Sequence, residues 1–200
     1  MADIKGYRSE NHSISSGQVL AEAYESSKAK TVILEMADQL SLDLVRKKLV
    51  TDQIVLTIDY DVSSAKKYRG RMATDRYGRK VPERAHGTIN LEVCTASAKM
   101  ILQKVGELFD RIVNPELCVR RMYVVANHVK RGEESKPLRQ LDIFTDFEKE
   151  KIEQEKERRR QEAILEIKAK YGKNAILKGM NFEEGATMRK RNQQVGGHQA

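Results

Sequence analysis

The spacing of apolar residues along the first 130 positions switches between two periods, and each switch predicts an element. After a polar lead, Ile14, Val19 and Leu20 mark a first extended segment in "HSISSGQVL", broken at Gly17. In "SSKAKTVILEMADQLSLDLVRKKL" the apolar positions Val32, Ile33, Met36, Ala37, Leu40, Leu44 and Val45 step by three and four, as one buried helix face requires. Ser26 or Ser27 stands where a cap is needed, and Arg46, Lys47 and Lys48 complement the C-terminal dipole. "TDQIVLTIDYD" then alternates, with Ile54, Leu56, Ile58 and Tyr60 on one face, which predicts a half-buried strand. "HGTINLEVCT" repeats the pattern with Ile89, Leu91 and Val93 inward. "SAKMILQKVGELFDRIV" is a second amphipathic helix, striped by Met100, Ile101, Val105, Leu108, Phe109 and Ile112 and stopped before Pro115. "LCVRRMYVVANHV" is a last strand.

The order strand, helix, strand, strand, helix, strand places each helix between parallel strands and makes the central pair antiparallel. The expected fold class is α+β, a βαββαβ ferredoxin-like sheet with two helices on one face and the other face open to a ligand. From position 130 the pattern dissolves. "KRGEESKPLR" is a linker, and "DFEKEKIEQEKERRRQEAILEIKAKYG" is almost wholly charged with its signs balanced, a solvated helix with a thin stripe at Ile164, Ile167 and Tyr171. The end is Gly- and Asn-rich, with a short apolar patch at Ile176, Leu177 and Met180. The expected division is a connector at 1–11, a domain at 12–131, a linker at 132–146, and a charged helix with a flexible tail at 147–200.

Composition narrows the function. The 200 residues are 40% hydrophobic and 33% charged, with a formal charge of +8 and a pI near 9.4; such a balance favours acidic partners, nucleic acid first. No apolar run suggests a bilayer span or a signal core; the expected location is cytoplasmic and nucleoid-associated, with no membrane partner, and the expected state is a monomer. Cys94 and Cys118 lie in apolar stretches and read as reduced core residues.

The positive charge is concentrated in "VSSAKKYRGRMATDRYGRKVPERAH". There Lys66, Lys67, Arg69, Arg71, Arg76, Arg79, Lys80 and Arg84 face only Asp75 and Glu83, with Tyr68 and Tyr77 interleaved and Gly70 and Gly78 allowing close backbone approach. Cations on a hairpin loop can follow a phosphate backbone without reading sequence; the plainer alternative is a solvated loop. Arg120 and Arg121 add charge within the last strand, one of them on the open face. An enzyme reading has less to build on. Asp59, Asp61 and Glu92 are the candidate carboxylates for a metal-dependent nuclease, yet they also suit the wet face of a strand. The four histidines lack metal-ligand spacing, and there is no phosphate loop of the Walker type or nucleophile elbow.

One pentapeptide is more specific. Gln140, Leu141, Asp142, Ile143 and Phe144 stand in a polar tract and resemble the Gln-Leu-(Asp/Ser)-Leu-Phe pattern with which bacterial polymerases and repair proteins bind the sliding clamp, Ile143 replacing the usual Leu. Leu141 and Phe144 suit an apolar cleft, with Gln140 at its rim; a staple for the following helix is the plainer alternative. "HSISSGQVL", "KKLVTDQIVLTIDYD", "GTINLEVCTASAKMILQKVGELFDRI", "VRRMYVVANHV" and "KNAILKGMNFEEGATMRKRNQQVGGH" together resemble the C-terminal half of UmuC-like (ImpB/MucB/SamB) Y-family translesion DNA polymerases of Gram-positive bacteria.

That resemblance implies a little finger domain that grips primer–template DNA through its backbone. Ser13, Ser15 and Ser16 would follow a template-side phosphate run, and the basic loop with Arg120 and Arg121 would lie along the duplex. It also implies that the catalytic carboxylates and their magnesium belong to a palm domain for which this sequence has no room. The chain is thus expected to carry no cofactor, to make no DNA by itself, and to serve an SOS-type repair polymerase as its DNA-binding and clamp-tethering part. Asp59 and Asp61 do not match the palm motif. The rivals are a stand-alone RNA- or DNA-binding module, opposed by the lack of an aromatic pair in "GTINLEV" and "CVRRMYV", and the nuclease.

Overall fold

The computed structural model describes residues 12–66, 68–132, 147–195 and 198–199. Its elements are β1 (Ile14–Tyr24), α1 (Ser26–Arg46), β2 (Leu49–Tyr60), β3 (Met72–Thr74), β4 (Lys80–Pro82), β5 (Ala85–Thr95), α2 (Ala98–Ile112), β6 (Val119–Asn127), β7 (Lys130–Arg131), α3 (Phe147–Tyr171) and α4 (Met188–Arg191), with a two-stranded end at Gln194–Val195 and His198–Gln199. The main sheet runs β1-β6-β2-β5, and β7 adds to β2. Every neighbouring pair is antiparallel. β1 and β2, joined by α1, therefore run the same way on either side of β6, the split arrangement expected from the order of elements. The mixed α+β architecture is compatible with a ferredoxin-like little finger.

Alternation sets which face is dry. Ile54, Leu56 and Ile58 of β2 and Met122, Val124 and Ala126 of β6 are wholly buried, and their cross-strand register puts them on one side. The stripes of α1 and α2 close over that side: Val32, Ile33, Met36, Leu40 and Leu44 meet Ile101, Val105, Leu108 and Phe109 in one core. α2 stops at Ile112, three residues before Pro115. Among the described residues, no helix is long and apolar enough to cross a membrane.

Several local expectations change. α1 starts at Ser26 behind Glu25, which makes no side-chain cap, so neither serine acts as one. Ser97 does cap α2, accepting from the Met100 amide at 3.2 Å. The basic loop contains a 3-10 turn at Val62–Lys66 and a short hairpin, β3 with β4. Cys94 and Cys118 are free and half-buried rather than deep in the core; burial pushes the Cys94 thiol up, with Asp52 nearby adding to it.

The larger difference lies after α3. The segment 172–195 lies along α1, joined to it by a buried carboxylate. Glu35 is 1% exposed and accepts from the Thr187 amide at 2.7 Å, the Met188 amide at 3.0 Å and Asn181 Nδ2 at 2.7 Å. α3 is held the same way. Glu157 accepts from Ser97 Oγ at 2.6 Å and the Lys99 amide at 3.0 Å, so a neighbouring helix supplies the carboxylate that the α2 N-terminus favours. Gln161, almost fully buried, donates to the Ala96 carbonyl at 3.1 Å. Of the stripe expected on α3, Ile164 is half-buried while Ile167 and Tyr171 stay exposed; polar clasps hold this helix more than its stripe does.

Candidate nucleic-acid interface

The sheet face away from the helices is laid out in transverse rows by the register. Gly17, Tyr123, Thr57 and His86 form one row; Ser15, Val125, Val55 and Thr88 the next; Val19, Arg121 and Asp59 lie on the other side. Side chains on these rows are half-buried or exposed. At the end away from the hairpin, Asn127 donates to Gln53, which donates to Asn90, at 3.1 and 2.9 Å. The middle of this floor is thus mostly hydroxyl, amide and aromatic, with Arg121 and Asp59 toward the hairpin end and Asp52, His128 and Lys130 at the other. Tyr123 lies on Gly17: a Cβ there would sit 2.6 Å from the ring, so any larger residue would push the ring aside. Sequence reasoning passed over Tyr123, although its alternation with Met122 and Val124 places it outward. It is one exposed aromatic on a central strand, not a stacking pair.

The hairpin stands at the opposite end of β2, and its tip is built by Asp75. Asp75 Oδ1 accepts from the Tyr77 and Arg79 amides, both at 2.9 Å. Gly78, at φ +77°, makes the turn that a Cβ would strain. Arg79 pairs with Asp75 at 2.7 Å and lies over the exposed Tyr77 ring. The cost of desolvating the Asp75 carboxyl is outweighed by its bonds from Arg79 and Tyr77, leaving its pKa below the usual aspartate range. Tyr68 packs against the core and is not a free aromatic.

The candidate cations divide into two groups. Arg79 has Asp75; Arg84 has Asp59 at 3.3 Å; Lys80 donates to Thr74. Lys66, Arg69, Arg71 and Arg76 are exposed, and no described carboxylate pairs with them. Arg121 points to the open face, whereas Arg120 sits at the irregularity between β1 and β6, donating to the Ala21 carbonyl at 2.9 Å and lying 4.0 Å from Asp61. Ser13 and Ser15 are exposed and Ser16 is half-buried. Ser15 shares the open face with Val125, while Ser16 pairs with Val124 and so faces the helix side. Lys67 and the pentapeptide Gln140–Phe144 lie outside the described residues.

The carboxylates proposed for a nuclease do not assemble. Asp59 is matched by Arg84 and Asp61 by Arg120. Burial pushes the Asp61 carboxyl up, but bonds from Ser63 and the charges of Arg120 and Arg79 prevail, so its pKa lies below normal. Glu92 lies beyond Asn90, the partner of Gln53, whereas Asp59 lies beyond Thr57, the partner of His86; at ~3.3 Å per residue that separates them by more than about 20 Å. Among the described residues no group of three His, Cys, Asp or Glu side chains is placed to hold a metal ion. Asp59, Asp61 and Glu92 therefore do not form the metal site of a nuclease.

The family model described as the impB/mucB/samB family C-terminal domain matches residues 11–143. No curated protein matches the sequence.

Proposed function

Because the chain belongs to the impB/mucB/samB family through the C-terminal domain of UmuC-like Y-family DNA polymerases, we propose that it grips duplex DNA through phosphates and tethers its polymerase to the sliding clamp. One observation carries the DNA half of this reading: Lys66, Arg69, Arg71 and Arg76 are exposed beside a largely uncharged sheet face, with no described carboxylate to neutralise them. Cations left unpaired in the protein keep their full attraction for a polyanion, and binding releases its condensed counterions. The Asn127, Gln53 and Asn90 amides bond to one another and Thr57 bonds to His86, so the rows offer few free groups to discriminate one base pair from another, which suits sequence-independent grip. Arg121 and Ser15 extend the contact across the sheet. Chemistry is assigned to other domains of the polymerase, together with the magnesium that a palm domain would hold.

The clamp half rests on Gln140–Phe144. The described segments on either side of it are both fastened to the domain: the Gly132 amide donates to the Lys48 carbonyl at 3.2 Å, and Glu157 and Gln161 hold α3. Such bracketing ties the peptide to the same domain as the proposed DNA contacts, which raises its effective concentration for a clamp on the same duplex.

Duplex affinity measured against salt tests the first half. Replacing Arg69, Arg71 and Arg76 by Ala should lower the slope of log K on log salt by about three; an unchanged slope would refute phosphate contact by the hairpin. For the second half, purified clamp should bind the parent chain and fail to bind a Leu141→Ala, Phe144→Ala variant. Equal binding by both would end the tethering reading.

A further inference from the structure

The C-terminal segment was expected as a flexible tail, yet its charges are sorted. Its acids turn toward α1: Glu183 accepts from Thr31 Oγ1 at 3.2 Å, and Glu184 pairs with Lys28. Lys178 is held by Asp38 of the same helix. Glu35 fixes the start of α4 from beneath. The cations at the far side of the segment have no such partners. Arg189 and Lys190 are exposed and meet no described carboxylate; Arg189 lies over the Phe182 ring at 4.8 Å.

This cationic turn is fixed to the edge of the sheet. Gln18 of β1 donates to Thr187 Oγ1 at 3.0 Å and accepts from Arg191 Nη1 at 2.8 Å. Arg191 is half-buried, and that burial lowers its pKa against the opposing charge of Glu35; it serves as an anchor, and Arg189 and Lys190 are what the turn presents. β1 is one edge strand of the main sheet, so its outer side is not covered by another strand. Ser15 faces the open side of that edge, and Ser16 shares with Gln18 the side on which the turn is fixed.

From this arrangement we infer a second phosphate-binding surface, made by Arg189 and Lys190 on the turn that Gln18 holds, on the flank of the sheet opposite β5, the strand that follows the hairpin. It extends the proposed duplex grip and rests on that reading. A backbone strand passing along the β1 edge meets Ser15 on one side and the docked turn on the other. Because Glu35 and Gln18 hold the turn in place before any ligand arrives, little ordering is required on binding. The surface takes a nucleic-acid phosphate backbone, read by charge alone.

The full chain is titrated with a mixed-sequence DNA duplex at several salt concentrations. Three forms are compared: the parent, Arg189→Ala with Lys190→Ala, and Arg69→Ala with Arg71→Ala. The tail variant should bind roughly tenfold more weakly near physiological salt, with a salt slope lower by about two, and its melting temperature should stay at the parent value because both side chains are exposed. Parent-like affinity and slope in the tail variant, with the hairpin variant weakened, would overturn the second surface and leave the hairpin contact standing. Parent-like behaviour in both variants would overturn the DNA reading as a whole. Loss of a protein partner by the tail variant, with duplex binding intact, would reassign the surface to that partner.

Discussion

The sheet domain and the C-terminal extension are both attached to α1, by different physics. The domain is joined by apolar burial: the stripe of α1 faces Ile54, Leu56, Met122 and Val124 through side chains with almost no exposure. The extension is joined by a few carboxylates and an amide, with Glu35, Glu157 and Gln161 each satisfying groups of another segment. Apolar burial is non-directional and sums over area, so it resists the loss of any one contact. A polar clasp depends on geometry, and removing one partner strands the other. The first attachment should therefore fail only together with the domain, and the second should open alone.

The strongest test of that contrast is in the core. Phe109→Ala removes a fully buried ring and should cost about 3–5 kcal/mol, lowering the single unfolding transition seen by circular dichroism. A variant whose sheet domain melted at the parent temperature would break the comparison. Glu35→Ala should cost up to about 3 kcal/mol at the clasp, by leaving the Met188 amide and Asn181 without an acceptor. The effect is bounded, because release of the segment lets those donors meet water. The expected readout is rapid protease cleavage between 172 and 195 while the domain melts as before; co-operative loss of the whole molecule would show that the extension is part of the core.

Glu157→Ala should cost about 1 kcal/mol, as for other lost helix caps, and should appear as faster hydrogen exchange at the Lys99 amide. Ser97 remains as the cap of Met100, so exchange at Met100 should change less. Asp61 gives the smallest effect and fixes its sign. Its folded pKa is depressed, so the stability it contributes is fully present above the unfolded value of about 3.9 and is lost as pH falls through the folded value. Asp61→Asn should flatten the acid limb of a stability–pH curve below that point, with little change in its shape at neutral pH. A steeper acid limb in the variant would contradict the pairing with Arg120.

Much of this was readable in particular residues. Leu56 and Met122 had to face the helices because strand periodicity leaves one dry side, and Val32 to Leu44 could share only one helix face. The concentration of cations from Lys66 to Arg84 was equally plain. What those cations do with their charge was not: Arg84 spends it on Asp59 and Arg79 on Asp75, while Arg69 and Arg71 do not, and no spacing rule distinguishes them. Glu35 left a faint signal as a carboxylate between Val32 and Met36 in an otherwise apolar stripe. Its partners lie about 150 residues away, beyond any local pattern.

Local periodicity and charge density were enough to fix the four long strands, the two core helices, the dry face of the sheet and the cationic loop. Which charges are neutralised, and the placing of the C-terminal segment along α1 where it brings Arg189 and Lys190 toward the edge of β1, arise only in the folded chain. Ion pairs and buried hydrogen bonds depend on distances between residues remote in the chain, and those distances exist only once the chain has folded.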